Sequence, residues 1–310
     1  MPPQIRFAVA LSNQHIGWDD YQTALLATDQ MAFETFWSFD HLMPIGGDPD
    51  GSCHECYTTL AAFAALTKRV RVGALVSGAA YRNAALQIKM ATQIDVISNG
   101  RFDFGIGAGW AEREFRAFDL PFASPKERVG KLRETLELAK QLWSGDPHKK
   151  VTYEGTYVRA YDLFLNPQPV QSPRPPILIG GGGEQLTLRV VARHADIWHG
   201  FGDLPTLKRK IDLIDGYARG YRRDAAEIAR STSVSVWVGQ PPASLLERLG
   251  ERGARSLITG TPAEIETRLR EYVDVGISYF IVGSLAGVEM DDRLENWRRV
   301  SDQVIPRFQR

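Results

Sequence analysis

The sequence has no excess of either charge and no long apolar run. Among its 310 residues, 37 are Lys or Arg and 37 are Asp or Glu, so the formal net charge at pH 7 is zero. A neutral chain does not predict a basic surface for nucleic acid or an anionic membrane. No apolar run approaches the ~20 residues of a membrane span, and the N-terminal residues lack the basic and apolar segments of a signal peptide. We therefore expect a cytoplasmic protein that acts on a small-molecule substrate, with neither nucleic acid nor membrane as a partner.

Cysteine is also scarce. The two cysteines, Cys53 and Cys56, have C-x-x-C spacing. A structural zinc site needs four ligands, and only His54 lies close in sequence. A redox dithiol would open a helix directly after a buried strand, whereas this pair follows the loop 44–51, which is rich in Gly and Pro. We interpret both cysteines as incidental, and the sequence predicts no metal site.

What the chain does contain is an alternation of short apolar strands with helical segments, which occurs eight times. Hydrophobic residues make up 44% of the chain and charged residues 24%, so it can bury a large core. Near-continuous apolar runs are typical of parallel strands that are buried on both faces. Eight such units close most simply into an α/β fold, the (β/α)8 TIM barrel. The predicted strands span 5–11, 35–40, 69–76, 101–106, 176–180, 196–200, 232–238 and 279–283.

Three helical segments repeat apolar residues every three or four positions, which predicts one buried face on each helix. The three faces are Leu86, Met90, Ile94 and Ile97; Val129, Leu132, Leu136, Ala139 and Trp143; and Leu207, Ile211, Ile214, Ala218 and Tyr221.

Residues 144–175 interrupt this rhythm after the fourth helix. The alternating pattern of residues 151–158 predicts a hairpin around Glu154-Gly155, and a proline-rich run follows it. We interpret 144–175 as an insertion in a single domain that spans residues 1–310.

In such a barrel, functional groups lie where the strands end and the following loops begin. The second strand ends in Asp40-His41. Histidine titrates near neutral pH, so an imidazole beside a carboxylate is suited to proton transfer. The alternative is that His41 only caps a loop.

Glycines dominate two further strand ends. Gly105, Gly107 and Gly109 would let the backbone approach a ligand closely. Their pattern is similar to a dinucleotide-binding motif, but that motif belongs in the first strand–helix turn of its fold. The run from Gly180 to Gly183 directly precedes a helix, and its N–H groups together with the helix dipole favour a phosphate. A purely structural turn is the alternative.

Taken in order, these segments resemble the luciferase-like monooxygenase superfamily, and most closely its deazaflavin-dependent branch, which uses coenzyme F420. The resemblance extends from about residue 5 to residue 285. Its most specific parts are 99–102 leading into 105–110 with Glu114, the segment 175–183 followed by 195–198, and Asp40-His41. It implies an oxidoreductase that transfers a hydride between F420 and a small organic substrate.

The resemblance also implies roles for individual residues. His41 would act as acid/base beside the ring of the cofactor, with Asp40 near the ring edge. A non-prolyl cis peptide would fall at Leu75-Val76, give or take one residue. The other cofactor contacts would come from two loops: Gly107, Ala108 and Gly109 along the cofactor, and Gly181, Gly182, Gly183 and Glu184 around its phosphate.

Two rival functions stay open. FMN in the same site would make the chain a monooxygenase that receives reduced flavin from a reductase, and a flavin-binding protein without catalysis is the second rival. A flavin or F420 reductase or dehydrogenase that supplies the cofactor is therefore an expected partner, and a homodimer is expected by analogy alone. Trp110 stands where some sugar-phosphate dehydrogenases of this branch carry a catalytic glutamate. We therefore expect a neutral or apolar substrate.

Overall fold

A closed barrel of eight parallel strands forms the centre of the molecule. The computed structural model describes residues 4–283, 285 and 288–309. In chain order, the strands are β1 (Arg6–Leu11), β2 (Thr35–Ser38), β3 (Arg71–Ala74), β4 (Ser77–Gly78), β5 (Phe102–Gly107), β6 (Val151–Glu154), β7 (Arg159–Leu163), β8 (Ile177–Gly180), β9 (Ile197–Gly200), β10 (Ala229–Val238), β11 (Leu257–Gly260) and β12 (Tyr279–Gly283). The barrel consists of β1, β2, β3, β5, β8, β9, β10 and β12.

The register between the strands closes this ring. Val9 of β1 pairs with Phe36 of β2 on one side and with Val282 of β12 on the other. β12 in turn pairs with β10, and β10 pairs with β9. The predicted (β/α)8 barrel is therefore confirmed.

Helices cover the outside of the barrel. Ser124 and Thr261 open two of them with capping boxes, each followed by a proline at the start of the helix. Within the described residues, no helix is long and apolar enough to cross a membrane. The helices are α1 (Trp18–Asp29), α2 (Cys56–Leu66), α3 (Ala84–Ser98), α4 (Glu112–Ala117), α5 (Pro125–Leu142), α6 (Thr187–His194), α7 (Leu204–Gly220), α8 (Ala243–Ser256), α9 (Pro262–Asp274) and α10 (Met290–Arg299).

Large side chains fill the inside of the barrel. Trp37 and Tyr279 are fully buried there and pack with Leu178 and Ile197. The indole N–H of Trp37 donates to the hydroxyl of Tyr279 at 3.3 Å. This packing is typical of a TIM barrel, in which the C-terminal end of the strands provides the room for a ligand.

The segment 144–175 contains the predicted hairpin. β6 and β7 are antiparallel, and the second strand lies at Arg159–Leu163, later than the sequence pattern indicated. The backbone N–H groups of Tyr157 and Val158 donate to the Glu134 carboxylate at 2.7 and 3.0 Å, which ties the hairpin to α5. That 144–175 is an insertion in a single domain stays a prediction.

Two expectations about the outer layer are wrong. On α3, Leu86 is 55% exposed and Ile97 is 39% exposed, because Ile88 and Ala91 form the buried face instead. Tyr221, the last residue of the predicted α7 face, is also exposed. In addition, α8 and the short strand β11 lie between the last two barrel strands, where the sequence pattern predicted neither.

Candidate active site

A cavity of about 440 Å³ opens at the C-terminal end of the barrel strands. Its volume lies within the range of small-molecule and cofactor sites. Eight of the predicted site residues line this cavity: Asp40, His41, Leu75, Val76, Gly107, Ala108, Gly109 and Gly181. The structure therefore brings residues from four segments, separate in sequence, to one place.

His41 is held by a carboxylate that lies 73 positions away in sequence. Its Nδ1 lies 2.9 Å from Oε2 of Glu114, and 14% of its side chain is exposed. A carboxylate accepts hydrogen bonds, so Nδ1 carries the proton and Nε2 is left as the basic nitrogen. Within the described residues, Nε2 makes no hydrogen bond. His41 is therefore oriented by one ring nitrogen and free to exchange a proton through the other.

Glu114 is itself fixed by four donors. Its carboxylate accepts from the Tyr81 hydroxyl at 2.6 Å, from the N–H groups of Leu42 and Met43 at 2.6 and 3.2 Å, and from His41. Burial alone would raise the pKa of Glu114, but these hydrogen bonds and the nearby imidazole outweigh it and hold the pKa below its usual value. An ionised Glu114 accepts the Nδ1–H of His41 and so fixes the orientation of the imidazole ring.

Asp40 pairs with Arg82 rather than with His41, its neighbour in sequence. Its buried carboxylate receives two hydrogen bonds from Arg82, at 2.6 and 3.1 Å, and one from the Ser77 hydroxyl. The same guanidinium also contacts Glu55 and lies over the ring of Tyr57. Asp40 therefore lines the cavity with its carboxylate paired to Arg82, a cation that it shares with Glu55, and it is Glu114 that contacts His41.

The peptide between Leu75 and Val76 is cis, as the resemblance predicted. It lies between β3 and β4, and both side chains line the cavity. A Cβ atom at Gly107 would lie 2.8 Å from Val76 Cγ2, and one at Gly180 would lie 2.9 Å from Val76 Cγ1. These two glycines therefore make room for the Val76 side chain, which fixes this wall of the cavity.

His199 also lines the cavity and is almost fully buried. Its Nδ1 lies 2.9 Å from the Ser231 hydroxyl, which donates its own hydrogen to the Trp198 carbonyl at 2.9 Å. Ser231 can therefore only accept from His199, so Nδ1 carries the proton. Nε2 then accepts from the Ser233 hydroxyl at 3.3 Å. Burial lowers the pKa of His199 to about 3, so it is neutral at physiological pH.

The N–H groups of the glycine-rich loop before α6 differ in whether they are hydrogen-bonded. Gly181 has φ +139° and its N–H donates to the His199 carbonyl at 3.2 Å. The N–H groups of Gly182, Gly183 and Glu184 make no hydrogen bond within the described chain. They are therefore free to bind a phosphate, while Gly181, which was expected to do the same, is already engaged through its N–H.

Two cations lie beside this loop. A Cβ atom at Gly182 would lie 2.6 Å from Lys210 Nζ, so the ammonium is next to the free N–H groups. Glu184, by contrast, directs its carboxylate to Arg209, so only its backbone can meet an anion. Lys210 therefore places a positive charge beside these N–H groups, an arrangement that favours an anion.

The rim of the cavity is apolar. Ile45, Trp110 and Phe201 line it and are 45%, 65% and 60% exposed. The Trp110 ring lies edge-on to His41, with the ring centroids 5.8 Å apart. Within the described part of the chain, no lysine or arginine lines the cavity. The entrance is suited to an uncharged, partly apolar molecule.

The two cysteines are both free thiols. Cys53 donates to the His41 carbonyl at 3.1 Å, and Cys56 is fully buried near the Ser38 hydroxyl. Burial raises the pKa of Cys53 to about 11 and also raises that of Cys56. Both thiols are therefore protonated at neutral pH and poorly nucleophilic.

Sequence reasoning assigned no role to three residues of this site: Glu114, His199 and Lys210. Glu114 belongs to the motif that carries the resemblance, and His199 lies at a strand end. The sequence could therefore have indicated both as site residues. Lys210 lies in the middle of α7, and nothing in the local sequence distinguishes it from the neighbouring Lys208.

The cavity thus combines an imidazole oriented by a carboxylate with glycine-lined strand ends, and a loop with free N–H groups lies beside it. A family model described as luciferase-like monooxygenase matches residues 4–256. The chain belongs to the luciferase-like monooxygenase family, as the sequence resemblance indicated.

Relatives and solved structures extend this comparison. An F420-dependent glucose-6-phosphate dehydrogenase from Microbacterium testaceum is 26% identical, over 99% of this chain and 98% of its own. The structure of an F420-dependent secondary alcohol dehydrogenase in complex with an F420-acetone adduct has a TM-score of 0.85 and 17% identity, and covers 97% of this chain and 99% of its own.

An FMN-bound structure has the same fold. The oxygenating constituent of 3,6-diketocamphane monooxygenase from Pseudomonas putida has a TM-score of 0.77 and 15% identity, over 98% of both chains. At these identities the two structures are evidence for the shared fold alone.

Proposed function

We propose that this protein is an F420-dependent oxidoreductase that transfers a hydride between the deazaflavin and a neutral, partly apolar substrate. The observation that carries the proposal is the hydrogen bond between His41 Nδ1 and Glu114 at the cavity wall. It gives the site an oriented proton donor and acceptor, which a flavin-binding protein without catalysis does not need. The full-length likeness to an F420-dependent dehydrogenase supports the choice of cofactor.

The residues present fit a deazaflavin nucleotide. The wall formed by Leu75, Val76 and Gly107 would face the ring system, and the free N–H groups of 182–184 with Lys210 would hold the phosphate. When bound, the deazaflavin supplies hydride transfer in two-electron steps. We also propose that Asp40 lies at the ring edge, where Arg82 holds its carboxylate in place.

His41 would move the proton that accompanies the hydride. Its Nε2 would donate a proton to, or accept one from, the oxygen of the substrate at the mouth of the cavity. Glu114 would hold Nδ1–H and stabilise the charged imidazolium, in the way that a buried carboxylate orients a catalytic histidine. Alcohol and carbonyl groups are the functional groups that need this combination.

The apolar rim of the cavity indicates the class of substrate. Ile45, Trp110 and Phe201 offer apolar contact, and Arg82, which lies behind Asp40, is already paired. A sugar phosphate would need cations at the entrance, so we propose that glucose 6-phosphate is not the substrate, in contrast to the activity named for the Microbacterium testaceum relative. We expect the enzyme to act in the cytoplasm and to exchange its cofactor with a second F420-dependent enzyme.

The test is a hydride-transfer assay with purified protein and F420. Reduction of F420 would be followed by its absorbance with a series of secondary alcohols and, separately, with glucose 6-phosphate. We expect turnover with at least one apolar alcohol and none with the sugar phosphate. Oxygen-dependent consumption of reduced FMN, with no change in F420 under any substrate, would instead establish the FMN-dependent monooxygenase.

A further inference from the structure

A second pocket of about 330 Å³ lies between α5 and α6, outside the barrel. We call it the α5–α6 pocket. It shares no lining residue with the cofactor cavity. Its lining residues are Lys126, Val129, Gly130, Arg133, Tyr157, Leu186, Arg189, Val190, Arg193, His194 and Tyr221.

The charges of the pocket all have one sign. Lys126, Arg133, Arg189 and Arg193 line it, and no acidic residue does. Only Arg133 has an ion pair in the described structure, with Glu134 at 3.0 Å. The other three cations have no carboxylate partner within the described chain. Four cations around one concave surface favour the binding of an anion.

Aromatic rings hold two of these cations in place. The Arg189 guanidinium lies over the ring of Tyr217, 4.7 Å from its centroid, and that of Arg193 lies 5.9 Å from the centroid of Tyr221. Stacking of this kind orients a guanidinium and leaves its N–H donors available. The two donors are therefore arranged before any ligand arrives.

His194 supplies an independent sign of a missing ligand. Only 4% of this residue is exposed, and neither ring nitrogen makes a hydrogen bond in the described structure. The Glu137 carboxylate is 3.9 Å from Nε2, too far for a hydrogen bond. Buried polar groups are almost always paired, and a ring rotation that turned an N–H toward a bound anion would supply the partner that this imidazole lacks.

The pocket adjoins the proposed phosphate loop. Thr187 lines the cofactor cavity, and its neighbour Leu186 lines the α5–α6 pocket. Consecutive residues at the start of α6 therefore line the two spaces. A ligand group that extends beyond the phosphate could pass over Leu186 into this pocket.

We propose that the α5–α6 pocket is a second anion-binding site that takes a group with two or more carboxylates or phosphates. Such a group has two sources. One is the glutamyl side chain that F420 carries beyond its phosphate, an assignment that rests on the proposed function. The other is a free polycarboxylate, which does not depend on it.

The first experiment uses citrate as the free anion and measures its binding to the purified protein by calorimetry. The test variant is Arg189→Gln/Arg193→Gln. The control is Lys149→Gln/Lys150→Gln, which removes the same charge from an exposed loop that lines neither space. We expect the test variant to bind citrate at least about tenfold more weakly, as the loss of charge-assisted hydrogen bonds predicts, and the control to match the wild type.

The second experiment compares F420 with a deazaflavin that ends at the phosphate. If the cofactor is the source of the anion, the test variant loses about tenfold in affinity for F420 and nothing for the truncated compound. If a free anion is the source, only citrate binding falls.

Equal affinities of wild type and test variant for both citrate and F420, with melting temperatures unchanged, would overturn the proposal. If the protein bound no deazaflavin at all, the proposed function would be overturned. The citrate experiment would still decide on the α5–α6 pocket.

Discussion

The two sides of the cofactor cavity differ in what they contribute. The β2 side, with His41 and Glu114, consists of ionisable groups in direct contact. The β9 side, with His199 and the loop 180–184, consists of hydroxyls, glycines and a histidine that burial keeps neutral.

The two histidines explain the difference. Both follow or end a barrel strand, and both line the cavity. His41 has a carboxylate on Nδ1 and an unbonded Nε2, whereas both nitrogens of His199 are bonded to serine hydroxyls. From these neighbours, rather than from the residue type, we predict proton transfer on the β2 side and cofactor binding on the β9 side. Substitutions on the β2 side should change the chemical step, and those on the β9 side should change cofactor affinity or stability.

The largest effect is expected for His41→Ala. Removal of a positioned acid/base should slow hydride transfer by about 10²–10⁴, while the affinity for the cofactor stays within a few-fold. Single-turnover measurement with saturating substrate, alongside a cofactor titration, checks both halves of this expectation. If the variant lost stability but kept its rate per folded molecule, the role of His41 would be structural rather than catalytic.

Glu114→Gln should have the next largest effect. The amide keeps a contact to His41 but removes the negative charge that supports imidazolium, so we expect a fall of about 10–10² in the chemical step. Because Glu114 acts through His41, the acidic limb of the pH–rate profile should also shift to lower pH. An unchanged profile with a slower rate would mean that Glu114 only supports the fold of the loop.

Lys210→Gln tests the β9 side. Loss of the ammonium beside Gly182 should weaken cofactor binding by about tenfold and leave the rate at saturation unchanged. Lys208→Gln is the matched control, because Lys208 lies one half-turn away and pairs with Asp212. Equal cofactor affinities of the two variants would place the phosphate elsewhere.

The last expected effect concerns stability against acid rather than activity. The folded pKa of His199, about 3, lies below its usual 6.5, so the unfolded chain takes up a proton first as the pH falls. The contribution of neutral His199 to the free energy of unfolding is complete above pH 6.5. Below pH 6.5 this contribution decreases by roughly 1.4 kcal/mol per pH unit.

His199→Gln should therefore flatten the pH dependence of the free energy of unfolding between pH 6 and pH 4, as measured by denaturant titration. His194, whose pKa burial and nearby cations also lower to about 3, should contribute a similar slope that this substitution leaves in place. An unchanged slope in the variant would contradict the neutral state of His199.

The barrel could be predicted from sequence because each buried strand is a local apolar run. The buried face of α3 could not, because Leu86 and Ile88 belong to two overlapping helical patterns and only packing decides between them. β11 has only four residues, too few for a periodic signal.

The sequence likewise predicts some features of the site and not others. Strand-end residues such as His41 and Gly182 follow from their position in the chain. The contacts of His41 with Glu114 and of Gly182 with Lys210 join distant segments, and only the closed barrel brings them together.

The most direct test of the whole account is a titration of the purified protein with F420 and, in parallel, with FMN, followed by fluorescence. If His41, Glu114 and the loop 180–184 form a deazaflavin site, F420 should bind at least about tenfold more tightly than FMN. Micromolar binding of FMN with no response to F420 would contradict it.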